Sequence, residues 1–342
     1  MLLDVQDLKI DYSSPGGTVH AVDGVSFTAT KGEIFVIVGE SGSGKSSLGL
    51  SVPGLIDRSN GAITGGSIKF KGKELVGLPE SDLRGFRGEE IAMIFQNARA
   101  SLNPVRTIGD QLIETLRSAD HSMTVKDAVE RSVELLRVVG ISDPRGRLEV
   151  YPHQLSGGMC QRVMIALAIS LNPSLLIADE PTSALDVTVK VQILQLLKRL
   201  IAELDMGIVL ITHDLGVARA LADKVGVMYA GQIVEMGPAA EVLNAPKMPY
   251  TQALFGSLPR LRGERAVRLP AIPSRPPSLV SPPTGCRFAA RCVHAADVCS
   301  SPPALVEIGK DHFSRCLYPH DARMREIAAQ HVALDGQEAV MS

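Results

Sequence analysis

The sequence predicts an α/β fold, and three observations carry that expectation. The apolar run Ile34-Phe35-Val36-Ile37-Val38 reads as a buried strand and leads directly into Gly39-Glu40-Ser41-Gly42-Ser43-Gly44-Lys45-Ser46, after which Ser47-Leu48-Gly49-Leu50 can open a helix. Further short apolar runs, at 91–95, 175–178 and 208–212, have the length and composition of buried strands and are separated by stretches with helical spacing. Between the first two of these runs, residues 108–140 read as helical, with Ile108, Leu112 and Leu116 on one face and Val129, Val133 and Leu136 on another. A chain of 342 residues is long enough to bury a sizeable core and to form two domains.

The loop at 39–46 matches the phosphate-binding pattern G-x-x-x-x-G-K-[ST], in the strand–loop–helix setting that the pattern requires. Gly39, Gly42 and Gly44 let the backbone turn so that successive N–H groups face an anion, and the helix behind adds its positive end. Lys45 is expected to reach the outer phosphates of a nucleotide and Ser46 to ligate Mg²⁺. Ser41, Ser43 and Ser47 belong to the same expected nucleotide-binding stretch.

Taken in order, residues 2–12 read as an edge strand leading to Tyr12, and Val19–Phe27 as a second strand. Residues 65–72 look like another strand with turn residues at both ends, and Ile91–Phe95 is a short buried strand ending at Gln96. The helical block at 108–140 interrupts a strand-rich pattern, so it forms a separate subdomain; Pro144 and Pro152 punctuate its exit. Leu155–Ser170 reads as a helix and Leu175–Ala178 as a buried strand ending in Asp179-Glu180. Asp186 can cap a helix with Ile193, Leu197, Leu200 and Leu204 on its apolar face and Gly207 as its stop. Ile208–Thr212 is the next strand, ending at His213, and Val225–Val234 is a hairpin around Ala230-Gly231. Between 270 and 283, six of fourteen residues are proline, which marks a stiff extended linker.

Composition removes several function classes. A net charge of −2 offers no bulk attraction to nucleic acid or anionic lipid, and 4% aromatic residues supply few base-stacking platforms. Met1-Leu2-Leu3-Asp4-Val5 has no basic region and meets a charge at once, unlike a secretory signal. The longest membrane candidate, 163–178, is broken by Asn172 and Pro173. A soluble protein is expected, with any membrane role exercised through a partner. Four of the five cysteines fall after position 285, spaced Cys286-x5-Cys292-x6-Cys299-x16-Cys316. In a chain without an export signal this clustering points to metal more than to disulfides. Four thiolates can close a zinc site or hold an iron–sulfur cluster. No C-x-x-C pair is present, which argues against a zinc ribbon.

The run ending in Asp179-Glu180 places two carboxylates at the end of a buried strand, one able to hold Mg²⁺ through water and the other to polarise an attacking water. Leu155-Ser156-Gly157-Gly158-Met159-Cys160-Gln161-Arg162 closely resembles the LSGGQ-type signature of ABC ATPases, with Met159 in place of the usual Gln. Ser183-Ala184-Leu185-Asp186 matches their D-loop, Gln96 their Q-loop and His213 their switch histidine, and Tyr12 stands where an aromatic stacks on adenine. Order and spacing match over roughly residues 1–240. The resemblance implies a RecA-like core with an antiparallel β subdomain and an α-helical subdomain at about 97–155. It also implies two ATPase subunits paired head to tail, with ATP between the phosphate loop of one and Ser156-Gly157-Gly158 of the other. Ser46 and Gln96, supported by Asp179, would hold Mg²⁺; Glu180 would activate water; His213 would contact the γ-phosphate; Asp186 would lie at the nucleotide interface.

Within that superfamily the closest resemblance is to dipeptide/oligopeptide importer ATPases. It rests on Asn97–Pro104, on Tyr151-Pro152-His153-Gln154 before the signature, and on Pro249-Tyr250-Thr251-Gln252-Ala253-Leu254, where Met248 replaces a common His. Members import dipeptides and oligopeptides, and sometimes nickel, glutathione or opines. They work with two membrane permease subunits, an extracytoplasmic binding protein and commonly a paralogous ATPase, at the cytoplasmic face of the inner membrane and without nucleic acid. Similar late cysteines in the group bind a [4Fe–4S] cluster, which makes 241–342 a small cysteine-containing extension. A soluble ABC ATPase acting on DNA or ribosomes is the competing class, but one motif set and no heptad stretch argue against it.

Overall fold

The computed structural model describes residues 1–183, 185–257 and 272–316. Two strands open the chain, β1 (Leu3–Ser14) and β2 (Gly17–Ala29), followed by β3 (Ile34–Val38) and, across the phosphate loop, α1 (Lys45–Ser51). Next come β4 (Gly61–Phe70), β5 (Lys73–Glu74), α2 (Glu80–Arg84) and β6 (Ile91–Ile94). A helical region contains α3 (Ala98–Ser101), α4 (Ile108–Ala119), α5 (Val125–Val138), α6 (Pro144–Arg147) and α7 (Gly157–Ile169). The chain then alternates through β7 (Leu175–Asp179), α8 (Val187–Leu204), β8 (Gly207–Thr212) and α9 (Leu215–Leu221). The hairpin β9 (Lys224–Tyr229) and β10 (Gln232–Pro238) precedes α10 (Ala239–Asn244) and α11 (Pro249–Gly256), and a small hairpin, β11 (Val306–Gly309) with β12 (His312–Ser314), comes last.

One sheet has the order β11-β12-β10-β9-β3-β8-β7-β6 and the other β2-β1-β4-β5. In the large sheet β9, β3, β8, β7 and β6 run parallel, and β10, β12 and β11 extend it antiparallel. Every residue of β3, β7 and β8 is buried, as expected where both faces of a parallel sheet are covered. The period of two divides these strands between two cores. Val36, Val38 and Leu210 pack towards the helical region, whereas Phe35, Ile37 and Ile211 pack with α1 and the antiparallel sheet. Strand side chains thus cement both flanking layers to one platform, with the loops after β3, β6, β7 and β8 leaving from the same C-terminal edge.

Four sequence expectations change. β1 is not an edge strand: it pairs with β2 on one side (Ile10↔Val22) and β4 on the other (Leu3↔Phe70), so its alternating pattern reports one buried face rather than an open edge. Gly65 and Gly66 are not a turn before a strand but lie within β4, opposite a bulge in β1; a Cβ on Gly66 would stand 2.4 Å from the Asp7 carbonyl oxygen. Gly207 does not stop a helix. It opens β8, where a Cβ would stand 2.6 Å from the Thr30 carbonyl oxygen, and α8 instead ends at Asp205 in the left-handed conformation. Leu155–Ser170 shortens to α7, because Ser156 caps its N-terminus. Of the expected proline-rich linker, residues 272–283 are described. They are irregular but not free of the body: Ile272 and Leu279 pack on the core, and the Leu279 carbonyl accepts from His20 N–H at 2.9 Å.

The extension after residue 240 is tied to the large sheet by a buried pair. Glu235 is fully buried in β10; Oε1 lies 2.8 Å from His312 Nε2 and accepts from Lys247 N–H at 2.7 Å, while Oε2 accepts from Met248 N–H at 3.0 Å. One carboxylate therefore holds both the approach to α11 and the final hairpin. Glu235→Ala would leave a buried imidazole and two backbone N–H groups without partners. We expect it to cost about 3–5 kcal/mol, read as a lower urea midpoint.

Candidate functional site

The loop after β3 is shaped by close backbone approach. A Cβ on Gly39 would stand 2.0 Å from the Met228 carbonyl oxygen, and one on Gly44 2.0 Å from the Ala21 carbonyl oxygen. Gly42 and Gly44 have φ of 78° and 100°, values that side chains disfavour. Lys45 is folded back into this loop, with Nζ donating to the carbonyls of Gly39 at 2.9 Å and Glu40 at 2.8 Å and to Ser43 Oγ at 3.3 Å. It is 5% exposed, and burial pushes its ammonium down, opposed by the nearby charges of Glu180, Asp179 and Glu40. Ser41, Gly42 and Ser46 face solvent.

β7 delivers two carboxylates beside this ammonium. Asp179 is buried, which pushes its carboxyl up despite a hydrogen bond from the Ser46 hydroxyl. Its Oδ1 has no hydrogen-bond partner. A buried oxygen with an open lone pair beside a serine hydroxyl suits a hard cation such as Mg²⁺. Glu180 follows at φ 47°, a strained value for a side-chain-bearing residue, and its N–H donates to the Ile211 carbonyl at 2.8 Å. That bond ties the end of β7 to β8, two residues before His213. The Glu180 carboxylate is thereby set between His213 Nδ1, 2.7 Å from Oε1, and Gln96 Nε2, 3.2 Å from Oε2. Three loops from three adjacent strands converge on one carboxylate.

Other expected residues lie apart. Ser156 caps α7 by accepting from Met159 N–H at 3.3 Å, and Ser156 and Gly157 are exposed. A Cβ on Gly158 would stand 2.7 Å from Val189 Cγ1, so that glycine is required by helix contact as well. Among the described residues no hydrogen bond joins this exposed helix start to the phosphate loop. Asp186 caps α8 through Val189 N–H at 3.0 Å. Ser183 Oγ donates to the Glu180 carbonyl at 3.2 Å, and Ala184 lies outside the described residues. Tyr12 is half-buried in the antiparallel sheet, where its ring leaves no room for a Cβ on Gly61. Cys160 is fully buried in α7, consistent with a packing role.

The late cysteines lie beside one another in part. Cys286 N–H donates to the Cys299 carbonyl at 2.9 Å, and burial pushes the Cys286 and Cys292 thiols up, with the neighbouring thiols adding to it. Among the described residues no three His, Cys, Asp or Glu side chains are arranged to hold a metal ion.

The ABC transporter family matches residues 22–183, and the C-terminal region of oligopeptide/dipeptide transporters matches 234–299. The dipeptide transport ATP-binding protein DppD of Bacillus subtilis is 46% identical over 335 residues, covering 98% of each chain. The chain belongs to the ATP-binding proteins of the dipeptide/oligopeptide ABC transporters. The oligopeptide transport ATP-binding protein OppD of Salmonella typhimurium is likewise 46% identical, over 93% of this chain and 94% of its own. Among solved structures, the dimeric bacterial ABC transporter cassette MJ0796 superposes with a TM-score of 0.63 at 28% identity, covering 69% of this chain and 98% of its own. The same cassette bound to ADP and Pi gives the same values. This ABC ATPase therefore has the family's α/β core, and among its described residues no helix is long and apolar enough to cross a membrane.

Two features of this ABC ATPase's site were not singled out from the sequence. Tyr250 OH accepts from Glu40 N–H at 3.1 Å, and Arg291 pairs with the Glu40 carboxylate at 2.9 Å. Tyr250 was visible only as part of a family motif. A cue for Arg291 existed, since it stands one residue before Cys292 in an otherwise weakly charged segment. Gly44→Ala should abolish nucleotide binding, because its Cβ would collide with backbone; a fluorescent ATP analogue titrated into the variant checks this. Asp179→Asn should raise the melting temperature of the nucleotide-free protein. Its carboxyl is pushed up by burial, so the ionised native form is penalised above the ordinary carboxylate range, and the amide removes that penalty.

Proposed function

We propose that this ATPase subunit binds ATP on the loop at 39–46 and hydrolyses it with Glu180 as the base, driving uptake of dipeptides or oligopeptides. The observation that carries the reading is the placement of the Glu180 carboxylate between His213 Nδ1 and Gln96 Nε2, next to Asp179 and the buried Lys45 ammonium. In the nucleotide-free site both oxygens of this carboxylate are held, and when His213 and Gln96 turn to the nucleotide they leave lone pairs that can accept a proton from water. Lys45, now satisfied by loop carbonyls, can exchange them for phosphate oxygens when the triphosphate enters. His213, 56% exposed at its side chain, is free to reach the γ-phosphate, and Gln96 can swing from Glu180 towards the water or metal. Mg²⁺, when bound, would be held by Ser46 and Gln96 with Asp179 in support, and would neutralise charge on the β- and γ-phosphates. Tyr12 is read as the adenine platform, and Ser47 and Asp186 as further parts of the nucleotide site.

Ser156, Gly157 and Gly158 are assigned to the nucleotide of a facing ATPase subunit, a copy or a paralogue. The exposure of Ser156 and Gly157 at a helix start supports that reading. The dimeric cassette among the structural relatives supports it too. Two permease subunits and an extracytoplasmic binding protein would complete the importer, placing this subunit at the cytoplasmic face of the inner membrane. The relatives named for peptide transport favour peptides over nickel, glutathione or opines as cargo. Residues 1–240 form the ATPase unit, with about 97–155 its helical part, and 241–342 the accessory extension.

In that extension Cys286, Cys292, Cys299 and Cys316 would hold a [4Fe–4S] cluster, with zinc as the alternative. The soft donor set supports either. Anaerobically purified protein should be brown and carry near four irons; colourless protein with stoichiometric zinc would reverse the assignment. For the hydrolytic reading, Glu180→Gln should lower ATP turnover by about 10²-fold or more while nucleotide affinity persists. Substantial residual turnover in the assembled transporter would remove Glu180 from its role.

A further inference from the structure

The phosphate loop is gripped by the cysteine-bearing extension. Arg291 ends a short 3-10 turn, Ala289–Arg291, between Cys286 and Cys292. Its guanidinium forks onto Glu40, with Nη1 2.9 Å from Oε2 and Nη2 3.2 Å from Oε1. The residue is 7% exposed and makes two further bonds: Nη1 also donates to Tyr229 OH at 3.2 Å, and Nε donates to the Pro273 carbonyl at 2.8 Å. Glu40 is the second residue of the phosphate loop. Its N–H is taken by Tyr250 OH and its carbonyl by the Lys45 ammonium. Tyr229, Tyr250 and Phe288 pack together beneath, with ring centroids 4.4–5.4 Å apart. A second strut runs close by, where Arg287 bonds the Ala230 carbonyl and Asp23, and Gly231 N–H bonds the Ser43 carbonyl at 2.9 Å.

This arrangement settles two problems for a loop that must receive a triphosphate. A glycine-rich loop has many conformations, and affinity falls if binding must order it. Glu40 also brings a carboxylate beside the anion site, where an uncompensated charge would repel phosphate. A bidentate guanidinium fixes the loop and neutralises that carboxylate at once, which a lysine cannot fully copy.

We propose that Arg291 is a positioning residue for nucleotide binding: through Glu40 it holds the phosphate loop in place and neutralises its carboxylate, so the cysteine-bearing extension is a working part of the ATP site. The inference rests on the reading of 39–46 as the ATP site. Arg291 acts on the loop through Glu40, so its loss should appear in affinity rather than in the chemical step.

The test is MgATP-analogue titration and steady-state hydrolysis on the full chain, with thermal unfolding alongside. Arg291→Met should raise Kd and KM on the order of tenfold, with kcat changed much less. Arg291→Lys should recover part of the affinity. Adding Glu40→Gln to Arg291→Met should also recover affinity, because the stranded carboxylate is gone; a purely structural arginine would show no such rescue. Should Arg291→Met fail to fold, Arg291→Lys alone must still raise Kd several-fold. Wild-type affinity in Arg291→Lys and Arg291→Met, or a loss that Glu40→Gln does not relieve, overturns the inference while leaving the ATP site standing. Absence of binding in the wild type overturns both.

Discussion

The Lys45 ammonium lies in a nearly dry cradle of carbonyls, with carboxylates beyond them, and the desolvation this costs is the constraint on which the site depends. The cost is offset in part by the Gly39 and Glu40 carbonyls at hydrogen-bond distance and by the nearby charges of Glu180, Asp179 and Glu40. Each supporting group needs its own strand. Gly39 follows β3, and the acidic pair terminates β7. The loop can fold so tightly because glycine stands where Met228 and Ala21 press in from β9 and β2. A buried parallel sheet with aligned C-terminal ends supplies all of these at once.

The same platform makes the carboxylate Glu180 a junction. Its strained backbone is anchored to β8, and its side chain is shared by residues that follow β6 and β8. A shift of any one strand end would break the sharing. Nucleotide that competes for His213, Gln96 or Lys45 would therefore be felt across the sheet edge.

Much of this was legible in the sequence because the signals are local. Buried strands ending in Asp179-Glu180 and His213 are read from hydrocarbon runs stopped by polar residues. The loop at 39–46 is read from glycine spacing, and Asp186 from its place before a helix. What stayed hidden depends on long-range pairing. Whether β1 is an edge is decided by β4, more than fifty residues later, and Gly66 and Gly207 answer to backbone from distant strands. The partners of Glu235 and Arg291 are distant in sequence, so their roles appear only when the final hairpin and the cysteine segment fold back over the large sheet. The proline-rich stretch suggested a spacer, yet its 272–283 portion lies along the body and offers carbonyls to His20 and Arg291.

The extension thus reaches both the sheet and the phosphate loop, and in the proposed arrangement the exposed start of α7 serves a facing subunit. The most direct test of that account is a cryo-electron microscopy map of the assembled transporter with MgATP trapped in place. The account predicts the γ-phosphate between the 39–46 loop of this chain and the signature helix start of the facing ATPase subunit. A triphosphate contacted by a single polypeptide alone would contradict it.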